Sequence, residues 1–506
     1  MAHRTGVIRN QLLLLPPSLD ELIGEDNPVR IIDVFVNALD LEKAGFSHSI
    51  PAELGCPPFN PADMLKLYLY GYSNRIRSSR KLEKECVRNI ELIWLLNKLQ
   101  PKYRTIAYFR ANNSKALKEV FRQFIVMIKR WDLISGDLLS VDGSKFRAVN
   151  SKKNNYNQRK IERHLKYIDE KVDEYLNELE KNDHEEQGER RVKVKECLQQ
   201  LEKRRQKYLE LEEHLKKMGE EQVSTTDPEA KQLMIRGQIT EVAYNAQVTV
   251  DSKHNLVIDT LAINSNDRKI LSTMGSRAKQ IIEKENIELL ADKGYHNGEE
   301  LQKCELMNIK TYVAPQETTC GEKIPTEDYR GDKFTYNVQD DCYTCPEGEV
   351  LTTSGRWFKK TSRKHVIPIK QYKTKACREC TKRKLCTKSP IQRGRVLERS
   401  EYQDAVYANN QRVQQETEKY RRRQMMSEHP FGVVKRQWGY DHVLMKGLQK
   451  VDTEISLMFL CYDLKRVMNI MGFKGFIEAI MNFYQNLCIH FWRGIEIPLK
   501  KAVILI

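Results

Sequence analysis

The stretch VAYNAQVTVDSKHNLVIDTLAI (242–263), followed after a helical interval by IELLADKGY (287–295), decides the fold class. Val242, Tyr244, Ala246, Val248 and Val250 recur at every second position, the period of a strand that buries one face. Asn255 then opens a second strand, LVIDTLAI, so the pair predicts a hairpin. A helix near 270–285, the strand IELLADKGY, a short helix at 298–306 and the strand KTYVAP (310–315) come next. Antiparallel strands first and helix-linked strands afterwards predict an α/β fold on a mixed sheet.

Upstream, LLSVDGSKFRAV (138–149) is one more strand run, broken at Asp142-Gly143. Between it and the hairpin the period changes. Ile161, Leu165, Ile168, Val172, Leu176 and Leu179 alternate at spacings of four and three, and Val194, Leu198, Leu201, Tyr208 and Leu215 repeat the pattern. The polar NDHEEQG (182–188) separates them, so the segment predicts an antiparallel helical hairpin inserted into the sheet domain. Its 18 Lys/Arg and 18 Asp/Glu between residues 152 and 221 cancel, which suits a structural arm or a dimer contact.

From Asn27 to about Arg130 the pattern is helical. Asn60-Pro61-Ala62-Asp63 supplies a capping residue, a proline at the first helical position and an early acid. A second helix is expected near Ser79, and a third from Thr105, after Gln100-Pro101, through Trp131. Arg75, Arg77, Arg80, Arg104 and Arg110 fall at helix ends, where one helix could enter a major groove; a plain helical bundle with basic ends reads equally well.

The chain's 85 Lys/Arg exceed its 69 Asp/Glu by 16, and residues 351–400 alone hold 16 bases against two acids. So local an excess points to one surface meeting a polyanion, nucleic acid first, although a solvated basic loop is the bland alternative. Trp357, Phe358 and Tyr372 interleave with the charge. Four leucines (12–15) before a proline pair are too short for a signal sequence, and no stretch approaches 18 uncharged apolar residues. The expectation is a cytoplasmic protein, neither secreted nor membrane-spanning, with its twelve cysteines reduced or bound to metal.

Two-metal phosphodiester chemistry needs converging carboxylates on a pair of Mg²⁺ ions. Asp142 and Asp292 each end an apolar run and each has a glycine nearby, Gly143 and Gly294, though either alone reads as an Asp opening a turn. The best third acid is Glu428, with Lys435 seven residues on and Tyr420 and Arg423 before it; the runner-up, Glu454, sits in a segment that reads as a core helix. Asp259 and Asp267 are competing aspartates. No phosphate-binding loop suggests ATP chemistry. Cys342-x2-Cys345 and Cys377-x2-Cys380 have the spacing of a four-thiolate zinc site, with Cys386 an alternative ligand and unmetallated thiols the bland reading.

The blocks NPVRIIDVFVNALDLEKAGF, FNPADMLKLYLYGYSNRIRSSRKLEKECVRNIELIWLL, YRTIAYFRANN, SVDGSKFRAVNS, STTDPEAKQL, AYNAQVTVD, LADKGYHNGEEL, SEHPFGVVKR and GLQKVDTEISLMFLCYDLKRV, spread from residue 27 to about 471, resemble bacterial insertion-sequence transposases of the DDE superfamily, in the group with a cysteine-rich insert before the catalytic glutamate. The resemblance implies Asp142, Asp292 and Glu428 as the catalytic, Mg²⁺-binding (or Mn²⁺-binding) triad, two ions per site, and matches the superfamily's spacing from glutamate to lysine at Lys435. It departs where Gln424 occupies the position of an arginine, with Arg423 one residue further away. The implied fold is a ribonuclease-H-like core (136–152, 223–319, 401–471), with an N-terminal helical DNA-binding domain (1–135), the helical hairpin (153–222), a basic zinc-ribbon-like insert (320–400) and a helical tail (472–506). The implied partners are double-stranded DNA, as terminal inverted repeats and target, and a second copy of the chain, within a bacterial nucleoid. Tyr420, Arg423, Lys435, Arg436, Lys382, Arg383, Lys384, Arg104 and Arg110 are the candidate DNA contacts. A stand-alone nuclease and an inactive DNA-binding regulator are the alternatives.

Overall fold

The computed structural model describes residues 17–49, 57–182, 188–236, 239–315, 324–362 and 365–493. Two compact units emerge, one of residues 1–135, 142–266 and 426–506 and the other of 136–141 and 267–425.

The first unit opens with helices α1 (Val29–Asn37), α2 (Pro61–Ser73), α3 (Ser79–Arg88), α4 (Ile90–Leu95), α5 (Tyr103–Asn112) and α6 (Ser114–Arg130). The Asn60 side chain accepts from the Ala62 N–H, so α2 starts at its cap. The helix expected from Thr105 to Trp131 is two helices. At Asn113 the side-chain oxygen accepts from the Ser47 N–H and hydroxyl while its amide donates to the Phe109 carbonyl, an alternative set of partners that breaks the helix.

Strand β1 (Leu138–Arg147) continues through Asp142-Gly143, where the sequence suggested a break. Next come β2 (Asn155–Asn157), α7 (Gln158–Asn182), α8 (Gly188–Met218) and β3 (Gln222–Ser224). The α7–α8 arm has its own core of Tyr156, Ile161, Ile168, Leu201, Tyr208, Leu215 and Val223. Bonds from Gln158 to Glu212 and from Arg205 to Asp169 make its helices antiparallel; the turn residues 183–187 lie outside the described residues. Strands β4 (Lys231–Arg236), β5 (Ile239–Asp251) and β6 (Val257–Ile263) pair antiparallel, β5 with each neighbour. Sequence reading missed β4, whose Leu233-Met234-Ile235 run hides any alternation.

In the second unit α9 (Leu271–Ile282), β7 (Ile287–Ala291), α10 (Gly298–Leu306) and β8 (Ile309–Val313) form two crossover units: residues 138–141 of β1 pair parallel with β7, and β7 pairs parallel with β8. The basic segment is a second sheet, of β9 (Thr335–Asn337), β10 (Cys342–Thr344), β11 (Val350–Thr353), β12 (Phe358–Ser362), β13 (His365–Lys373) and, after the short helix α11 (Arg383–Cys386), β14 (Val396–Ser400). Phe334, Leu351, Tyr372 and Leu397 are its core. Helix α12 (Gln403–Gln415) leads to α13 (Thr417–Phe431), which begins in this unit and ends in the first.

A π-helical turn (Gly432–Gln437) follows in the first unit, then α14 (Leu448–Arg493), interrupted at Gly472, whose φ of 72° suits a residue without a Cβ. Helix α14 is buried along most of Val451–Val467 and packs on α1, α2, α6 and β6. That packing joins the N-terminal helices to the β5–β6 hairpin in one unit. Among the described residues no helix is long and apolar enough to cross a membrane.

Candidate active site

In the first unit Asp142, Gly143, Ser144 and Lys145 of β1 line one cleft of about 700 Å³ together with Glu428, Lys435 and Arg436. Asp142 and Glu428, 286 positions apart in sequence, therefore face the same space. Pro430 lies inside α13 and has no N–H to donate, and the π turn begins two residues later. That turn carries Lys435, whose ammonium donates to the Ser144 hydroxyl at 2.9 Å and the Lys145 carbonyl at 2.7 Å and lies 4.9 Å from the Phe146 ring. Lys435 is thus fastened beside Asp142, while Arg436 is exposed on the same wall. Glu428 is exposed and Asp142 half-buried, its Oδ1 accepting from the Gly143 N–H at 2.8 Å.

Two further acids in this cleft, Glu241 and Asp441, escaped the sequence reading. Arg147 binds both, Asp441 directly and Glu241 at 3.8 Å. Burial raises the Asp441 carboxyl, but His442 and Arg147 together hold it below the usual carboxylate range. No sequence signal marks this cluster, since its members sit about 94 and 200 residues apart along the chain.

In the second unit Val141 and Ala291 are register partners in the parallel pairing of β1 with β7, and the next residues along the chain are Asp142 and Asp292. Asp292 ends β7 and caps a 3-10 turn, accepting from the Lys293 N–H at 2.7 Å, so the strand is shorter than IELLADKGY. Arg423 approaches Asp292 Oδ1 at 3.9 Å and lies against the Tyr420 ring, 5.9 Å from its centroid. The α13 segment of this unit is anchored by Lys419, which binds Glu288 of β7 at 3.0 Å. Asp267 opens a 3-10 turn beside Gly294, and Asp259 is buried in the β5–β6 hairpin opposite Thr249.

Glu454 has 0% exposure; it accepts from the Leu444 and Met445 N–H groups at 2.8 and 2.9 Å and meets Arg77 at 3.4 Å. Arg77 is therefore a core residue and not a free helix end. Arg110 needs the same correction. It is 7% exposed, donates to the Tyr72 hydroxyl at 2.8 Å and lies 5.5 Å from the Tyr68 ring centroid, so it does not face a groove. Sequence shows the charge of this α5 arginine but not its depth. Arg104, by contrast, is exposed over Tyr103, as is Arg80, and Arg75 is exposed as well.

In the basic sheet Lys382 and Lys384 are exposed, whereas Arg383 is half-buried and donates to the Ser389 carbonyl. Cys345, Cys377, Cys380 and Cys386 line one cavity of about 30 Å³; Cys342 is buried on β10 and is not part of that lining. Burial pushes the Cys386 thiol up to about 11. Among the described residues no three His, Cys, Asp or Glu side chains already form a group able to hold a metal ion.

Residues 344–468 match the family model described as a transposase DDE domain, and residues 17–112 match a transposase domain of the DUF772 family. The first match includes Glu428 and Lys435 and begins after Asp292. A search of curated proteins finds no match. A solved piggyBac transposase synaptic complex with hairpin DNA aligns over 94% of this chain and 83% of its own, at 9% identity and a TM-score of 0.30. The chain carries transposase family domains, consistent with an insertion-sequence DDE transposase.

Proposed function

We propose that this chain, with transposase family domains in both its N-terminal and its C-terminal halves, is the transposase of a bacterial insertion sequence. It binds the element's ends as double-stranded DNA, cleaves phosphodiester bonds and joins the freed 3′-OH to target DNA, working as a dimer. The observation that carries this reading is the parallel register of β1 and β7: Asp142 and Asp292 each directly follow one of a pair of register partners, Val141 and Ala291. Glu428 shares a cleft with Asp142, and Lys435 is bonded to the same strand. The parallel β1–β7–β8 pairing and the antiparallel β5–β6 hairpin support a ribonuclease-H-like core.

The three carboxylates are hard oxygen donors at partly or fully exposed positions, a set that fits two Mg²⁺ or Mn²⁺ ions. Asp142, Asp292 and Glu428 would hold such ions, whose chemistry there would be activation of water and then of the 3′-OH and stabilisation of the leaving oxygen. This chain's own residues do the positioning. Lys435 and Arg436 seat phosphate on the cleft wall, and Arg423 steadies Asp292 and limits its rotation. Arg147 offsets one of the two negative charges of Glu241 and Asp441, so the cleft is less repulsive to a polyanion than its four acids suggest. The same reading includes a structural zinc ion in the cysteine-rich segment.

The test uses duplexes carrying the inverted repeats that flank the gene, incubated with target DNA and Mg²⁺. Cleaved ends joined to target are expected. Cleavage with no joined product would make the chain a stand-alone nuclease, and binding with neither reaction would make it a regulator.

A second expectation concerns affinity. Lys382, Lys384 and Lys388 are exposed on the basic sheet, so replacing all three with Gln should weaken binding to specific and random duplexes alike. The slope of log K against log salt should fall by about 0.9 per lost phosphate contact, hence by no more than about three. Binding titrations at several salt concentrations check this, and a loss confined to element ends with an unchanged slope would show that these lysines read sequence.

A further inference from the structure

We propose that the zinc site of the basic sheet is made by Cys345, Cys377, Cys380 and Cys386, with Arg383 and Arg395 as its charge partners, and that Cys342 is no part of it. The proposal rests on the zinc reading above and changes its ligands. Pairing by sequence spacing would join Cys342 with Cys345, but the fold separates these roles. Cys345, Cys377, Cys380 and Cys386 line a single cavity of about 30 Å³, room for about one ion, without Cys342.

The backbone around these sulfurs has the form of tight thiolate knuckles. Gly348 donates to the Cys345 carbonyl at 2.8 Å, and the Glu349 N–H donates to Cys345 Sγ at 3.3 Å, so this sulfur is held inside the turn. Gly348 has a φ of 86°, which the turn needs and an L side chain resists. Gly394, at φ 63°, passes so close to Cys377 that a Cβ there would stand 2.9 Å from Cys377 Cβ. The Cys386 N–H donates to the Lys382 carbonyl at 3.2 Å, and the Arg383 N–H to the Cys380 carbonyl at 3.2 Å, which ties the last two thiols into one turn.

Two arginines that line the same cavity, Arg383 and Arg395, each carry a buried Nε without a hydrogen-bond partner. An unpartnered buried donor is costly, and a buried cation more so. Four thiolates around one Zn²⁺ carry a net charge of −2, and two guanidiniums balance it. Sulfur bound to zinc still accepts hydrogen bonds from outer groups, which would satisfy both nitrogens. The thiols do not yet stand as a ligand group, so holding zinc draws them inward across the cavity.

The experiment measures zinc per chain by elemental analysis of full-length protein purified without chelator, alongside the absorption spectrum of the Co²⁺-substituted protein. Wild type should hold about one zinc, Cys342→Ser and Cys342→Ala should keep it, and Cys386→Ser should lose it, each with unchanged circular dichroism outside the sheet contribution. Arg395→Gln should keep four-sulfur Co²⁺ bands but release metal to a chelator about tenfold faster. Zinc lost from both Cys342 variants and kept in Cys386→Ser would return the site to Cys342 and overturn this ligand set, while leaving zinc itself in place. Wild-type protein without zinc would overturn both metal readings, and strand joining measured on that same preparation reports separately on the transposase reading.

Discussion

Asp142→Asn, Asp292→Asn and Glu428→Gln should each lower cleavage of element-end duplexes by more than about 100-fold, the lower end of what losing one preorganised electrostatic group costs. Each amide keeps the shape of the acid and removes one negative oxygen donor, so the loss falls on cation binding and not on packing. DNA binding should stay within a few-fold of wild type or tighten slightly, since the change removes a charge that repels phosphate. Glu428→Asp is the informative partner: it keeps the charge and withdraws it by one methylene, so partial recovery in Mn²⁺ would mark a cation ligand. Gel-based cleavage and filter binding on the same preparations separate the two effects. Full cleavage in any of the three would remove that residue from the catalytic set.

The second large effect concerns Glu454. Its carboxylate is fully buried, accepts from two backbone N–H groups and faces Arg77, which also donates to the His442 carbonyl at 2.7 Å and lies 4.3 Å from the Tyr440 ring centroid. Glu454→Ala leaves a buried guanidinium uncompensated and two amides without an acceptor, so it should destabilise the first unit by about 3 to 5 kcal/mol. Melting should fall by on the order of 10 °C. Arg77→Met combined with Glu454→Leu should lose less than Glu454→Ala, because no lone charge remains buried. Thermal denaturation of the three proteins decides it. A Glu454→Ala chain that melts like wild type yet no longer cleaves, beside an active Glu428→Gln, would transfer the third acid's role to Glu454.

Much of the architecture is legible in local sequence because its causes are local. Asn60-Pro61 starts α2 through a cap and a preset φ, and alternation from Val242 to Val250 lays out β5 over the few residues that a period needs. The helical arm declares itself by spacing alone, since its core is made of its own two helices. Strand β7 was recognisable too, but its end was not, because Asp292 stops it by turning back on its own next N–H.

Other features depend on residues far apart in the chain, and no local pattern encodes them. Arg110 looks like any surface arginine until Tyr68 and Tyr72 close over it. Glu454 reads as an isolated acid in an apolar run until Arg77, 377 residues earlier, faces it. Asn113 divides one expected helix because Ser47, 66 residues away, occupies its side chain. Spacing in the CxxC motif couples Cys342 to Cys345, whereas folding brings Cys386 and not Cys342 to the shared cavity. Amino-acid order alone determined the helical and strand periods, the charge window and the candidate carboxylates. Burial, ion pairing and the choice of thiols came from long-range packing, since the cost of an unpaired buried charge is set by whatever the rest of the chain places beside it.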